Sequence, residues 1–385
     1  MAGRAGRAGR AGRAGRAGRA GRAGRAGRAG REDGGYDEAA LSSALMTHRD
    51  GILPYWNGSK NLTPRTLGAP PTLPDPTGFA RLAALGWIPR EVVIDDRLFS
   101  RFPVFTTAPS TGGARCTDLD QTVNGGKLVE VERPGDTFFI AQLKEVRTDA
   151  DLRDDRMDEI LVQTEDITSF FASMLRLELD DVRWTLELLE AVVRLCGYVE
   201  FPLKFFFDVP RPSQLSTNAA PIIATPGHGA WPSGHGTEAF AIATVLAGLL
   251  HRKTATGTTF QLRDVAVAAS APGTMLLRTA MRIADNRVVA GVHYPHDGVC
   301  GAILGVAIGQ ALVNYLSGED KTHTYTLAVP LDTSSEALMS PGTLSAILDP
   351  ARLGNAEVAF TEPVANRDSL LRSLWIKAAA EVSGP

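Results

Sequence analysis

Three short stretches of this sequence carry residue types that could do chemistry together. The first is KFFFDVPRP, in which Lys204 and Arg211 lie at the two ends of an apolar run. Pro210 and Pro212 end a helix there, because proline lacks an amide hydrogen and restricts the residue before it. Two cations so placed can converge on one buried group, although each alone reads equally well as a snorkelling lysine and a surface arginine. The second stretch is HGAWPSGHG, in which Pro232, Ser233, Gly234 and His235 come just before an apolar helix. The first N–H groups of a helix have no intrahelical partner, and the dipole there is positive. Gly234 lets a ligand approach the backbone, Ser233 adds a hydroxyl, and His235 adds a titratable group. The stretch is thus an oxyanion seat or, more simply, a serine N-cap. The third is NRVVAGVHYPHD, with Arg287, His293 and Asp297. Pro295 suits the first turn of a helix, which puts His293 at its N-terminal edge and Asp297 about one turn away. A carboxylate that holds one imidazole nitrogen leaves the other as a nucleophile or metal ligand. His296 has no arginine at useful spacing and is read as a surface residue. Together the three stretches offer what a multiply charged tetrahedral oxyanion needs.

In order and internal spacing, Lys204-x6-Arg211-Pro212, Pro232-Ser233-Gly234-His235 and Arg287-x5-His293-x3-Asp297 resemble the signature of the phosphatidic acid phosphatase type 2 and vanadium haloperoxidase superfamily. One position departs from it: Asn286 stands where the family usually has serine, and its amide is expected still to donate a hydrogen bond there. The resemblance implies an α-helical bundle in which Lys204, Arg211 and Arg287 hold the oxygens of phosphate or vanadate, with Ser233 and the Gly234 N–H completing the cradle. It implies that His293 is the phosphate-attacking nucleophile or the axial vanadium ligand, that His235 is the general acid–base, and that Asp297 orients His293. A further histidine, His228, lies seven residues before His235, as in the vanadium bromoperoxidases. The expected function is therefore a vanadate-dependent haloperoxidase that oxidises halide, bromide favoured, with hydrogen peroxide and passes it to an organic acceptor. The alternative is a soluble acid phosphatase that hydrolyses phosphate esters through a phosphohistidine at His293. A non-enzymatic phosphate-binding protein is disfavoured, because every proposed catalytic residue is present.

The elements that must position these residues are mostly helices. Leu186, Leu189, Val193 and Cys196 follow helical spacing, and Asp180 and Asp181 suit its start. Further helices are expected over 78–86, 236–251, 262–285 and 295–317, with one at the C-terminal end. HTYTLAVPL is a weak strand. The fold class is all-α, a helical bundle with irregular N- and C-terminal segments. Four segments are expected: a tail over 1–35, a loop-rich part over 36–148, a helical catalytic core over 149–317, and a C-terminal segment over 318–385 packed on that core.

The tail holds ten copies of Ala-Gly-Arg over residues 2–31. It has no proline to preset a collagen-like backbone and is read as a solvated, self-repelling coil. Ten of the 40 Lys and Arg lie there, which leaves 30 against 43 Asp and Glu in the body. An acidic body argues against nucleic-acid or membrane-surface binding. Cys116, Cys196 and Cys300 are too scattered for a disulfide framework. The run over 298–316 is interrupted by Gln310 and Asn314 and reads as a buried core helix, not a membrane span. A soluble protein is expected, with cytoplasmic or unknown location and with its oligomeric state open.

Overall fold

The structure, a computed structural model, describes residue 48 and residues 78–383 apart from 108, 176–181, 252–258, 266–271, 328–338, 350–352 and 354–355. The Ala-Gly-Arg tail and the helix start expected at Asp180 and Asp181 lie outside the described residues. In chain order the elements are α1 (Phe79–Ala84), α2 (Trp87–Phe99), β1 (Val104–Thr107), β2 (Thr111–Arg115), β3 (Lys127–Glu132), α3 (Asp136–Asp149), α4 (Arg153–Val162), α5 (Thr168–Leu175) and α6 (Arg183–Phe207). They continue with α7 (Pro212–Leu215), α8 (Gly234–His251), α9 (Leu262–Val265), α10 (Pro272–Val289), α11 (Pro295–Ser317), β4 (Lys321–Leu327), α12 (Pro341–Leu348), β5 (Ala356–Ala359) and α13 (Ser369–Ser383).

The two most apolar helices, α8 and α11, form the centre. Among the described residues α11 is the one helix long and apolar enough to cross a membrane, and it is wholly buried inside the protein. The polar residues that interrupt its apolar run explain why it sits there. Gln310 accepts from the Leu262 amide at 2.8 Å and donates to the Tyr325 hydroxyl at 2.6 Å. Asn314 accepts from the Phe260 amide at 2.7 Å and donates to Thr322 Oγ1 at 3.2 Å. These two amides tie the segment before α9 and strand β4 to the helix, and their own polar groups are satisfied in the interior.

α8 lies across α11 at backbone-contact range, and also packs on α6 and α10. Glycines on α11 make this approach possible. A Cβ at Gly301 would stand 2.5 Å from the Ser233 carbonyl, and one at Gly305 would stand 2.3 Å from the Thr237 carbonyl. The contact draws the N-terminus of α8 onto that of α11, where the Ser233 amide donates to the Asp297 carbonyl at 2.9 Å.

The expected all-α class is corrected. The chain is mostly helical, but it also has a five-stranded sheet in the order β1-β2-β3-β4-β5. β3 and β4 pair in parallel and the other neighbours are antiparallel. The sheet packs against α6 and α11. Its strands escaped the sequence reading because they are short, and because Gly112 and Gly113 interrupt the alternation of β2. A Cβ at Gly113 would meet the Val129 carbonyl at 1.9 Å, so glycine is needed for β2 to lie against β3. The weak strand expected over 322–330 is observed as β4, with 328–330 outside the described residues. Helix α2 was also missed in what looked like loop. Its Pro89 lies in the first turn, where an amide hydrogen is not required. The helix expected over 262–285 is described as α9 and α10. All three cysteines are buried and unpaired.

The α8–α11 contact makes a quantitative expectation. Gly305→Ala would gain about 1 kcal/mol of helix propensity. It would also press a methyl into the Thr237 carbonyl and, at 2.9 Å, the Ala241 amide nitrogen. Both are backbone atoms that cannot swing aside, so an overpacking cost of about 3 kcal/mol wins. Urea denaturation should show a net loss of about 2 kcal/mol. A variant as stable as wild type would show that the two helices are not in backbone contact.

Candidate oxyanion site

Four helix ends converge to build the site. The C-terminal turn of α6 supplies Lys204, and the following turn supplies Arg211. α6 stops because Asp208 takes a left-handed conformation and returns its amide to the Lys204 carbonyl at 3.0 Å. The N-terminus of α8 supplies Gly234 and His235, with Ser233 just before it. The C-terminal half of α10 supplies Arg287. His293 and Asp297 lie at the start of α11.

His293 is held from both sides. Asp297 Oδ2 accepts from the ring Nδ1 at 2.8 Å and from the Tyr294 amide at 2.9 Å. It therefore caps α11 and orients the imidazole with one oxygen. Arg211 Nη1 approaches the other ring nitrogen, Nε2, at 3.0 Å. A guanidinium can only donate, so Nε2 carries a lone pair and Nδ1 carries the proton. Burial, then the nearby Arg211 and Lys204 charges, push the His293 pKa well below the usual histidine value. The ring is a neutral imidazole whose Nε2 lone pair points toward the cations.

Arg211 is the hinge between this histidine and His228. Its Nη2 donates to His228 Nδ1 at 3.1 Å, and its Nε donates to the His228 carbonyl at 3.0 Å. Nη1 also donates to the Val292 carbonyl at 2.8 Å. His228 is partly exposed, with its ring edge against Phe201. Burial, then Lys204 and Arg211, lower its pKa to about 4.

Arg287 is the least satisfied cation. Nη2 donates to the Ile160 carbonyl at 3.1 Å and to Gln163 Oε1 at 3.0 Å. Nε and Nη1 are buried with no protein partner. Burial lowers the Arg287 pKa to about 9. An arginine buried with open donors is costly unless an anion meets them. This observation tests whether the residues fit an oxyanion, and they do. Lys204 Nζ donates to the Pro232 carbonyl and keeps further donors. Ser233 Oγ accepts from the Gly236 amide at 3.2 Å, so it is an N-cap whose hydroxyl hydrogen remains to be given. The Gly234 and His235 amides precede the first intrahelical bond.

His235 donates its Nε2 proton to the Gln163 carbonyl at 2.8 Å. A carbonyl only accepts, so Nδ1 is the nitrogen left to take or return a proton. Burial first, then Arg287, lower its pKa to about 3.

Three sequence expectations change here. His296 is not on the surface: it is fully buried, edge-on to Phe138 and stacked on Trp231 at a centroid distance of 6.3 Å. Helix α11 is buried from Pro295 to Leu316, so a histidine in its first turn has no side that faces solvent. The space Gly234 leaves is not open to a ligand from every side, since a Cβ there would stand 2.5 Å from Glu200 Oε1. Asn286 does not spare its amide for an anion: Nδ2 donates to Glu159 Oε2 and Gln163 Oε1, both at 3.0 Å.

Three residues beside the site were not found from sequence. Glu200 and Glu238 are buried carboxyls close enough to Lys204 to act on its charge. Glu200 sits one turn before Lys204 in an otherwise apolar run, which is the signal that could have found it. Gln163 had none, since it ends an ordinary polar helix. Among the described residues no group of His, Cys, Asp and Glu could hold a bare metal ion. The donors present suit an anion.

Helix ends thus bring buried cations with open donors beside buried imidazoles, a set that would suit an oxyanion. A family model of the PAP2 superfamily matches residues 185–320, the stretch that holds all three motifs. The match supports placing this segment in that superfamily, which includes phosphatases and haloperoxidases. No curated protein matches the chain.

Burial gives the site a pH dependence. It lowers the Lys204 pKa to about 8 and raises that of Glu200 to about 7. As pH rises through this window Glu200 gains a negative charge and Lys204 loses a positive one. Both changes oppose an anion. Sulfate keeps its charge across the range, so its affinity isolates the protein's titration. Calorimetry should show sulfate binding weaker at pH 9 than at pH 6, on the order of ten-fold. Equal or tighter binding at pH 9 would contradict the assignment.

Proposed function

We propose that this protein is a vanadate-dependent haloperoxidase that oxidises halide, bromide favoured, with hydrogen peroxide. The observation that carries the reading is Arg211, whose guanidinium touches His293 Nε2 and His228 Nδ1 together. A phosphatase needs one histidine to attack and one to move a proton. This site has a third imidazole, the partly exposed His228, joined to the attacking histidine through Arg211.

In this reading Lys204, Arg211, Ser233, Gly234 and Arg287 hold the vanadate oxygens, and His293 Nε2 ligates the metal. When bound, vanadate supplies Lewis-acid activation of peroxide, so that peroxide and halide with one proton become hypohalous acid and water. The protein's part is positioning and proton handling. Asp297 keeps the His293 proton on Nδ1 and the lone pair on Nε2, which would turn from Arg211 Nη1 to the metal when vanadate binds. Arg287 brings open donors to the oxyanion without displacing any protein bond. His235 Nδ1 accepts a proton as peroxide arrives and returns it as water leaves, and its Nε2 tie prevents the ring from turning. A bound anion would raise the His235 pKa from its low value, toward the range where that exchange is easiest. His228, its Nδ1 engaged by Arg211, presents Nε2–H to halide or peroxide at the entrance.

The same His293–Asp297 pair suits phosphoryl transfer through a phosphohistidine, which is the second reading. The two are separated by loading the apoprotein with vanadate and measuring bromide-dependent halogenation of a phenolic dye, beside hydrolysis of a chromogenic phosphate ester. Halogenation is expected, and phosphatase turnover without it would replace the first reading by the second. His228→Ala should cut bromide oxidation by about 100-fold. It should leave ester hydrolysis and vanadate affinity near wild type.

A further inference from the structure

One residue outside all three motifs, and outside the matched segment, touches two of the groups that would act on the anion. Gln163 follows the last residue of α4 and is almost fully buried. Its side-chain oxygen accepts from Arg287 Nη2 at 3.0 Å, and its backbone carbonyl accepts from His235 Nε2 at 2.8 Å. Its side chain is itself held by Asn286 Nδ2 at 3.0 Å, and Asn286 is anchored on Glu159 at 3.0 Å. Glu159 in turn is paired with Arg282.

We infer that Gln163 is a positioning residue of the oxyanion site, setting the aim of Arg287 through its side chain and the tautomer of His235 through its backbone. This rests on the oxyanion-site reading above and holds for either chemistry. Arg287 is planar, so when Gln163 and the Ile160 carbonyl occupy Nη2, the plane of the guanidinium is set and Nε and Nη1 are aimed. Those are the donors left without a protein partner. The choice of an amide matters as well. A carboxylate at this place would orient Arg287 but also neutralise it, and an anion would then compete with a resident charge. Gln163 orients while leaving the full positive charge for the ligand.

The departure from the family pattern at Asn286 fits the same device. Its two amide hydrogens reach Glu159 and Gln163 at once, which a serine hydroxyl with a single hydrogen could not do. The link therefore runs from the α4–α10 ion pair to the site: Glu159, Asn286, Gln163, Arg287.

The test uses the full chain and orthovanadate, with inorganic phosphate as a second probe. Gln163→Met removes the acceptor while keeping the side chain's length, and it leaves the backbone carbonyl in place. Orthovanadate affinity by calorimetry should fall by about ten-fold. The ¹⁵N shifts of the His235 ring should stay those of an Nε2-protonated imidazole, and the melting temperature should stay near wild type. Gln163→Glu keeps both size and acceptor, so it guards against a Met variant that fails to fold. Its carboxylate pairs with Arg287, so affinity for both anions should again fall about ten-fold or more. Either variant binding within two-fold of wild type would overturn the inference. So would a Met variant whose lost affinity comes with a collapsed melting transition and a changed His235 signature, since that marks a structural prop. Wild-type protein that binds neither anion would instead refute the oxyanion-site reading itself.

Discussion

The contact between α8 and α11 is what the rest of the structure depends on. Ser233 and His293 belong to stretches some sixty residues apart, and each stretch begins a helix. They meet because Gly301 and Gly305 let the two helix backbones touch. The amide of Ser233 then lands on the carbonyl of Asp297. That one hydrogen bond joins the seat formed by the α8 N-terminus to the histidine and carboxylate at the α11 N-terminus. Two helix starts side by side also place two positive dipole ends at the same spot. The other elements add to this pair: α6 brings Lys204 and Arg211 to it, α10 brings Arg287, and the sheet braces α6 and α11.

The electrostatics follow from how deeply this pair is buried. Lys204, Arg211 and Arg287 are shielded from water and cannot neutralise each other. Burial pushes all three toward their neutral forms. It pushes Glu200, Glu238 and Asp297 the opposite way, toward protonation. A buried set of this kind stores unfavourable solvation that an anion relieves. The acids beside Lys204 limit the surplus, and so tie the site's charge to pH near neutrality. Burial pushes His228, His235 and His293 toward the neutral imidazole, which is the state a ligand or a proton acceptor requires.

Much of the site was legible because its residues lie at short, regular spacings inside local elements. His293, Pro295 and Asp297 describe a helix start and its cap with no reference to the rest of the chain, and the structure has that start. Lys204 and Arg211 straddle a helix end marked by prolines. The sheet was less legible, since strands of four to seven residues with internal glycines carry little periodicity. His296 was misjudged for a related reason: an isolated histidine on an apolar helix has no sign that says which face is covered.

The sequence by itself determined which residues are available, their order, and the helix ends on which they sit, because caps, prolines and apolar periods act over a few residues. It also determined the body's acidic balance, against which three cations at one place stand out. Only the tertiary structure decided what fills the space beside each of them. Glu200 stands against Gly234, and Arg211 bridges His228 and His293. Asn286 gives its amide hydrogens to Glu159 and Gln163. Gln163 joins the site from a helix whose local pattern gives no hint of it. These pairings span tens to more than a hundred residues, and they arise from packing and from the need of buried donors for acceptors. No local rule of sequence can express that constraint.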